Sequence, residues 1–212
     1  MENRFSELWD NRNWKWPKTD IHCWRHMNRT LCGPFVIREV SGFLPKEKRN
    51  LIIQAGGNCG MFPYEYAKFF KRVITFEPDP LNFKCLTANI DSMNVIPIQG
   101  CLGKVSGQVL PVRRSKINIG ATHISKAPPT FHAQSFAIDD LHLKPDVIHL
   151  DVEGHELEVL TGAIKTIETC KPLIISEIKP EKRFDFWEFL RDFSYVETGV
   201  LSNGDYTYAP RS

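Results

Sequence analysis

No run of 18 apolar residues occurs anywhere in the chain, so a membrane-spanning helix is not indicated. The opening "MENRFSELWDNRNWKW" also lacks the apolar stretch of a secretion signal. Fixed-period repeats and low-complexity tracts are missing, which argues against solenoids and disordered linkers. Charge of one sign is scarce: 27 Lys/Arg stand against 25 Asp/Glu, a net of +2, too small for a general polyanion binder. Six cysteines (Cys23, Cys32, Cys59, Cys85, Cys101 and Cys170) are scattered through 212 residues, a length that needs no disulfide framework. These features predict a soluble cytoplasmic protein with reduced thiols and no membrane partner; they leave its oligomeric state open.

What the chain does have is unevenly placed. Residues 1–50 carry ten Lys/Arg against six Asp/Glu and hold four of the five tryptophans, Trp9, Trp14, Trp16 and Trp24. A disordered tail would be poor in such residues. The expectation is therefore a tryptophan-rich extension over residues 1–49 that packs on the core or caps its cleft. A single main domain would follow over 50–212. The basic segment suits an anionic substrate or is simply a solvated face.

From residue 50 the punctuation becomes regular. "LIIQA" (51–55), "VITFE" (73–77), "VIPIQ" (95–99), "DVIHLD" (146–151) and "PLIISEI" (172–178) read as strands. Helices are predicted after the glycines at 56–60 and after Asp79, a plausible N-cap followed by Pro80. Leu157, Leu160, Ile164 and Ile167, spaced 3, 4 and 3, predict one helix, and another spans Phe184 to Phe193. "GCLGKVSGQVLPV" suggests a turn and a hairpin, residues 113–137 are hard to read, and Tyr195–Val200 with Tyr206–Ala209 form a possible terminal hairpin. The predicted fold is an α/β, Rossmann-like doubly wound sheet, mostly parallel, with an antiparallel C-terminal edge.

In such a sheet ligands sit beyond the carboxyl ends of the strands. Gly56, Gly57 and Gly60 of "QAGGNCG" remove side chains where a turn enters a helix, letting backbone N–H groups approach a ligand. Glu77 ends the next strand, where a carboxylate can accept hydrogen bonds from both hydroxyls of an adenosine ribose. Together these features point to an adenosine-containing ligand without choosing between a redox cofactor and a methyl donor. A phosphate-binding loop is excluded because no Gly-Lys-Ser/Thr follows. "HLDVEGHE" places Asp151, Glu153 and Glu156 within six residues, near His155. Such crowding suits a general base, a helix cap or an oxygen-ligated Mg²⁺. His22, Cys23, His26 and Cys32 are zinc-capable side chains, but their spacing matches no standard finger and no metal site is assigned there.

"IIQAGGNCG", "ITFEPDPLNFKCLTANI", "DDLHLKPDVIHLDVEGHELEVLTGA" and "IISEI", in this order and spacing, resemble the FkbM-type methyltransferases, S-adenosylmethionine-dependent O-methyltransferases with a Rossmann-like fold. The likeness covers roughly residues 50–180. It implies that Gly56, Asn58 and Gly60, with the adjoining Gln54 and Gly57, shape the methionine side of a cofactor pocket. It further implies that Glu77, in "FEPDP" beside Pro78, holds the ribose, and that Gln99, Gly100 and Cys101 lie near the adenine. Asp151 would face the cofactor amino group or the reacting centre. The family usually has Asp where this chain has Gln54.

The resulting expectation is an S-adenosylmethionine-dependent O-methyltransferase acting on a hydroxyl of a saccharide, glycoconjugate or small metabolite. Asp151, Glu153 or His155 would be the base, and Mg²⁺ a possible helper. The alternatives are a nucleic-acid methyltransferase, with the basic segment gripping a single strand, and a catalytically silent adenosine-binding module.

Overall fold

The computed structural model describes residues 8–11, 14–18, 20, 39–40, 42, 44–115 and 118–211. Two short strands, β1 (Leu8–Asn11) and β2 (Trp14–Pro17), pair antiparallel. The main sheet then begins with β3 (Leu51–Ala55), β4 (Arg72–Glu77) and β5 (Val95–Gln99), with helix α1 (Met61–Tyr66) after β3 and α2 (Pro80–Asn89) after β4. Its second half comprises β10 (Val147–Leu150), helices α3 (Glu156–Thr161) and α4 (Ile164–Cys170), and β11 (Leu173–Ser176). Helix α5 (Arg183–Asp192) and strands β12 (Tyr195–Val200) and β13 (Tyr206–Pro210) complete it. The strand order is β12-β13-β11-β10-β3-β4-β5, with β11, β10, β3, β4 and β5 parallel and β13 antiparallel to both neighbours. The doubly wound sheet and its antiparallel terminal hairpin are those the sequence predicts.

Strand pleating divides the core into two layers. Leu51, Ile53 and Ala55 face Ile74, Phe76, Ile148, Leu150 and the helical residues Val159, Leu160, Ile167, Phe186 and Leu190. Ile52 faces the other way, with Val73, Val147, Ile175, Tyr66 and Phe70. Complete burial of each such Ile, Leu or Phe contributes about 1.5–3 kcal/mol. Because β3 is buried on both faces, its sequence is a continuous apolar run broken only by Gln54.

Two local expectations change. The helix expected across 157–167 is two short helices; Gly162 caps the first and lies against the chain at Gly103, where a Cβ would come 2.2 Å from the Gly103 carbonyl oxygen. Asp139 then starts the second helix by accepting from the backbone N–H groups of Lys165 (3.0 Å) and Thr166 (2.8 Å). The hairpin expected after residue 100 does not form either. Strands β6 (Cys101–Leu102), β7 (Val109–Arg113), β8 (His123–Ile124) and β9 (Phe131–Phe136) make a second sheet in the order β6-β9-β7-β8. β9 lies between β6 and β7, parallel to the first and antiparallel to the second.

The described part of the N-terminal segment packs on α2. Lys15 N donates to Asn89 Oδ1 (2.6 Å), and Asn89 Nδ2 returns a bond to Lys15 O (2.9 Å). Trp16 is buried against Cys59, Cys85 and Ile119, with its indole N–H on Asp20 Oδ2 at 2.8 Å. The His22, Cys23, His26 and Cys32 grouping lies outside the described residues, as does Trp24.

Candidate active site

The chain passes from β3 to β4 and β5 on one side and reaches β10 and β11 on the other, so the sheet reverses its winding between β3 and β10. A crevice must open there at the carboxyl ends of the strands. The cleft at that point is lined by Ala55, Gly56 and Asn58 from the first turn, Phe76, Glu77 and Pro78 from the second, and Asp151 and Val152 from the fourth. Asn82 of α2, Cys101 and Leu102 of β6, and Ile119, Gly120 and Thr122 of the turn that precedes β8 complete it.

Gly56 has φ +86°, and a Cβ on it would lie 2.0 Å from the Asp151 carbonyl oxygen. Only glycine lets the two turns meet so closely. Gly57 serves packing, since its Cβ would strike Leu86 Cδ1 and Thr75 Oγ1 at 2.6 and 2.7 Å. The N–H groups of both glycines donate to Phe76 O, which ties the turn to the end of β4.

Glu77 is 4% exposed. Its Oε2 accepts from Asn58 N (2.7 Å) and its Oε1 from Asp79 N (2.8 Å). Burial pushes its carboxyl up to about 7, although both backbone bonds favour the charged form. Asp79 caps α2 through Leu81 N and is also held by the Arg114 guanidinium, whose Nη2 lies 2.7 Å from Oδ1. Beside this carboxylate, Asn58 Oδ1 and Asn82 Oδ1 are buried without a hydrogen-bond partner among the described residues. Leaving a buried acceptor unsatisfied costs about 1–3 kcal/mol, so both oxygens call for a ligand that brings N–H or O–H groups.

Asp151 follows β10 and is placed by its own N–H, which donates to Ala55 O at 3.1 Å. Burial holds its carboxyl well above the usual carboxylate range, and the adjacent Glu177 adds to the rise, with smaller contributions from Asp205 and Glu153. Carboxylate oxygens of Asp151, Glu153 and Glu177 lie within 4.8 Å of one another. The cluster has an internal cation, Lys179 Nζ, 3.4 Å from Glu153 Oε2, and no further feature of this site points to Mg²⁺. Glu156 turns back on the loop and accepts from Gly154 N at 2.7 Å. His155 stands outside the cleft lining: its Nδ1 is 3.7 Å from Glu158 Oε2, its Nε2 lies toward Gly103, and burial pushes its imidazole pKa down.

Five other expected residues are placed just behind the lining. Gln54 is fully buried beneath the turn: its Oε1 accepts from Thr75 Oγ1 and its Nε2 donates to Ala55 O (3.1 Å) and Gly56 O (2.9 Å). Gly57 and Gly60 shape the turn, Gln99 ends β5 with an exposed side chain, and Gly100 packs against Phe136. Lining residues not anticipated are Phe76, Asn82, Leu102, Ile119, Gly120 and Thr122. A buried chain behind β10 was also not anticipated: Tyr66 Oη to His149 Nδ1 (3.0 Å), then His149 Nε2 to Asp205 Oδ2 (3.3 Å).

A family model described as the methyltransferase FkbM domain matches residues 55–204. The chain belongs to the FkbM methyltransferase family. The hexuronic acid methyltransferase AglP of Haloferax volcanii is 34% identical over 110 residues, covering 49% of this chain and 46% of that protein. The FkbM chain thus aligns with less than half the length of that curated relative. Among solved structures, methyltransferase FkbM from Methylobacillus flagellatus superposes with a TM-score of 0.56 at 19% identity, over 76% of this chain and 43% of that one. A SAM-dependent methyltransferase from Aquifex aeolicus gives 0.50 at 12% identity, over 82% and 88%. These two likenesses establish the fold. No helix among the described residues is long and apolar enough to cross a membrane.

Family membership implies S-adenosylmethionine, and the residues present fit it. Gly56 leaves the backbone bare at the crevice, Glu77 keeps acceptor capacity on Oε2 while its Oε1 is shared by Asp79 N and Asn82 Nδ2 (3.5 Å), and the Asn58 and Asn82 oxygens await donors. The cleft encloses only about 50 Å³. Small-molecule sites span roughly 300–1,000 Å³, so the cleft is narrower here than a bound S-adenosylmethionine would need.

Proposed function

We propose that this FkbM methyltransferase is an S-adenosylmethionine-dependent O-methyltransferase whose acceptor is a saccharide hydroxyl. One observation carries the cofactor reading: Glu77 and two unpartnered amide oxygens face a common cleft beside a glycine turn, where the sheet reverses its winding. The acceptor class draws on the hexuronic acid methyltransferase to which the chain is 34% identical.

Bound S-adenosylmethionine supplies a methyl group on a sulfonium. Glu77 would accept from the ribose, while Asn58 and Asn82 would accept from the cofactor's remaining donors. Alignment is the main requirement of an in-line displacement, and the closely packed turns at Gly56 and Asp151 provide a rigid frame for it. Asp151 would take the proton of the acceptor hydroxyl, whose oxygen would receive the methyl group that S-adenosylmethionine supplies. It suits that role better than its neighbours because it lines the cleft and its raised pKa makes it a stronger base than an ordinary carboxylate. Glu153 is engaged by Lys179, and His155 is outside the lining.

Calorimetric titration of the chain with S-adenosylmethionine, S-adenosylhomocysteine and NAD tests the reading. Binding of both sulfur compounds and none of NAD is expected; selective NAD binding would overturn it. Cofactor binding with no methyl transfer to a broad saccharide panel would leave an adenosine-binding module in its place.

A further inference from the structure

The 3₁₀ turn Ile119–Ala121 separates two hollows. Gly120 and Thr122 line the cofactor cleft, whereas Ala121 and His123 line a groove of about 620 Å³ on the other side. The rest of that groove comes from Arg113, Arg114, Ser115, Pro128 and Thr130. A molecule lying in it is separated from the cofactor site by the thickness of one turn.

The groove has a definite electrostatic character. Two arginines and a histidine line it, and among the described residues no carboxylate does. Arg114 is fixed in place: its guanidinium is bonded through two nitrogens to the buried Asp79 and lies 5.5 Å from the centre of the Phe131 ring. Its backbone N–H is held by Thr130 Oγ1 at 3.1 Å. Arg113, the next residue back on β7, is exposed, and no carboxylate pairs with it among the described residues. The His123 ring is oriented by its Nδ1, which donates to Ala121 O at 3.0 Å. One anchored and one available guanidinium, with an imidazole and two hydroxyls around them, match a carboxylate or phosphate group better than a neutral sugar.

We infer that this groove holds the anionic group of the methyl acceptor, so that the substrate class is a saccharide carrying a carboxylate or phosphate oxyanion. Arg113 makes the principal contact with that oxyanion. His123 and Thr130 orient the sugar, and the hydroxyl to be methylated reaches past the 119–121 turn toward Asp151. The inference rests on the methyl-transfer reading above for what happens to the sugar, but not for the anion binding itself.

The test is calorimetric titration of methyl glucuronide, glucose 1-phosphate and neutral methyl glucoside into the full chain, with and without S-adenosylhomocysteine. It is repeated for Arg113→Gln and Arg113→Lys, with thermal melts to confirm folding. At least one anionic sugar is expected to bind about tenfold or more tightly than the neutral one, a difference of about 1.4 kcal/mol. Arg113→Gln should abolish that preference, and Arg113→Lys should keep part of it. Whichever anionic sugar binds more tightly identifies the oxyanion. Equal affinity for charged and neutral sugars overturns the inference, as does a preference that survives Arg113→Gln. Tighter, steeply salt-dependent binding of a 12-nucleotide single strand also overturns it and assigns the groove to nucleic acid. A chain that holds the anions through Arg113 but takes up no S-adenosylhomocysteine loses the methyl-transfer reading and keeps this one; the reverse result does the opposite.

Discussion

The two turns that meet at the centre of the sheet, 55–60 after β3 and 151–156 after β10, resemble each other in construction and differ in what they leave undone. Their strands pair in register, Ala55 opposite Leu150, and each turn uses left-handed backbone, at Gly56, Asn58 and Gly60 in one and at Glu153 and Gly154 in the other. In the second turn the chain supplies most of the partners itself; the exception, His155 Nε2, is buried without one among the described residues but stands outside the cleft lining. Glu156 receives the Gly154 N–H, Lys182 donates to Gly154 O, and Lys179 pairs with Glu153. In the first, Asn58 Oδ1 has no partner, and Asn82 Oδ1, across the same cleft, has none either. Polar residues are dense in both loops. What separates a binding turn from a scaffold turn is the unmet hydrogen-bonding capacity facing a common space.

The largest effect should come from closing the gap between the turns. Gly56→Ala puts a methyl group 2.0 Å from a backbone oxygen at φ +86°, so the two loops must separate. The backbone conformation alone costs about 1–2 kcal/mol. With the overlap added, a loss of at least roughly 3 kcal/mol is expected, about 6–12 °C in melting temperature for a chain of this size. Cofactor binding should vanish with it; a variant that melts and binds like the wild type would show that the turns do not depend on each other.

Next comes the acid on the second turn that does face the cleft. Asp151→Asn should lower kcat by roughly 10²–10⁴-fold, the range for a lost general base. Wild-type kcat should rise with pH as Asp151 loses its proton, at a pH above the usual carboxylate range because burial and Glu177 hold the proton on. Glu177→Gln removes the neighbouring negative charge and so favours ionisation of Asp151. The rising limb should therefore move to lower pH, and a limb that stays in place would remove Asp151 from the role of base.

The first turn has its own acid. Glu77→Gln should weaken S-adenosylhomocysteine binding by roughly 10–100-fold, as for loss of hydrogen bonds to a charged group. Ribose hydroxyls donating to Glu77 favour its ionised form, whereas in the free protein burial raises its pKa to about 7. Binding near neutral pH should thus release a proton, and affinity should fall as pH drops below about 7. Binding heats measured in buffers of different ionisation enthalpy report this directly, and the effect should be absent in Glu77→Gln. The sign for folding is opposite: with a folded pKa above the unfolded one, Glu77 opposes folding increasingly as pH rises from about 4.5 toward 7.

Sequence patterns exposed the main sheet because both of its faces are buried, and continuous apolar runs between turn residues leave few other readings. Glu77, Pro78 and Asp151 were legible for a related reason, since they stand where such runs end. The second sheet was not legible. Its strands β6 and β8 have two residues each, and β9, "FHAQSF", has alternation too weak to announce itself. Ile119, Gly120 and Thr122 therefore reach the cleft from a segment without periodicity. Asn82 is hidden differently, as a polar residue within a helix, on the same buried face as Cys85 and Leu86. Gln54 shows the limit of position-by-position likeness: pleating turns its side chain toward Thr75 and the loop carbonyls, so its amide braces the turn from beneath.

The smallest expected effect tests whether the second turn holds its own Glu153. Lys179→Ala removes one staple, a 3.4 Å pair between a half-exposed lysine and Glu153. Exposed pairs are worth about 0–1 kcal/mol, so the melting temperature should fall by no more than about 4 °C. Glu153 then gains freedom beside Asp151, and its uncompensated negative charge disfavours ionisation of Asp151. The rising limb of kcat should shift to higher pH, opposite to the effect of Glu177→Gln, while S-adenosylhomocysteine affinity stays the same. A large loss of cofactor affinity in Lys179→Ala would mean that the Glu153–Lys179 pair, and not only Asp151 and Val152, bears on cofactor binding, and the distinction between a binding turn and a scaffold turn would fail.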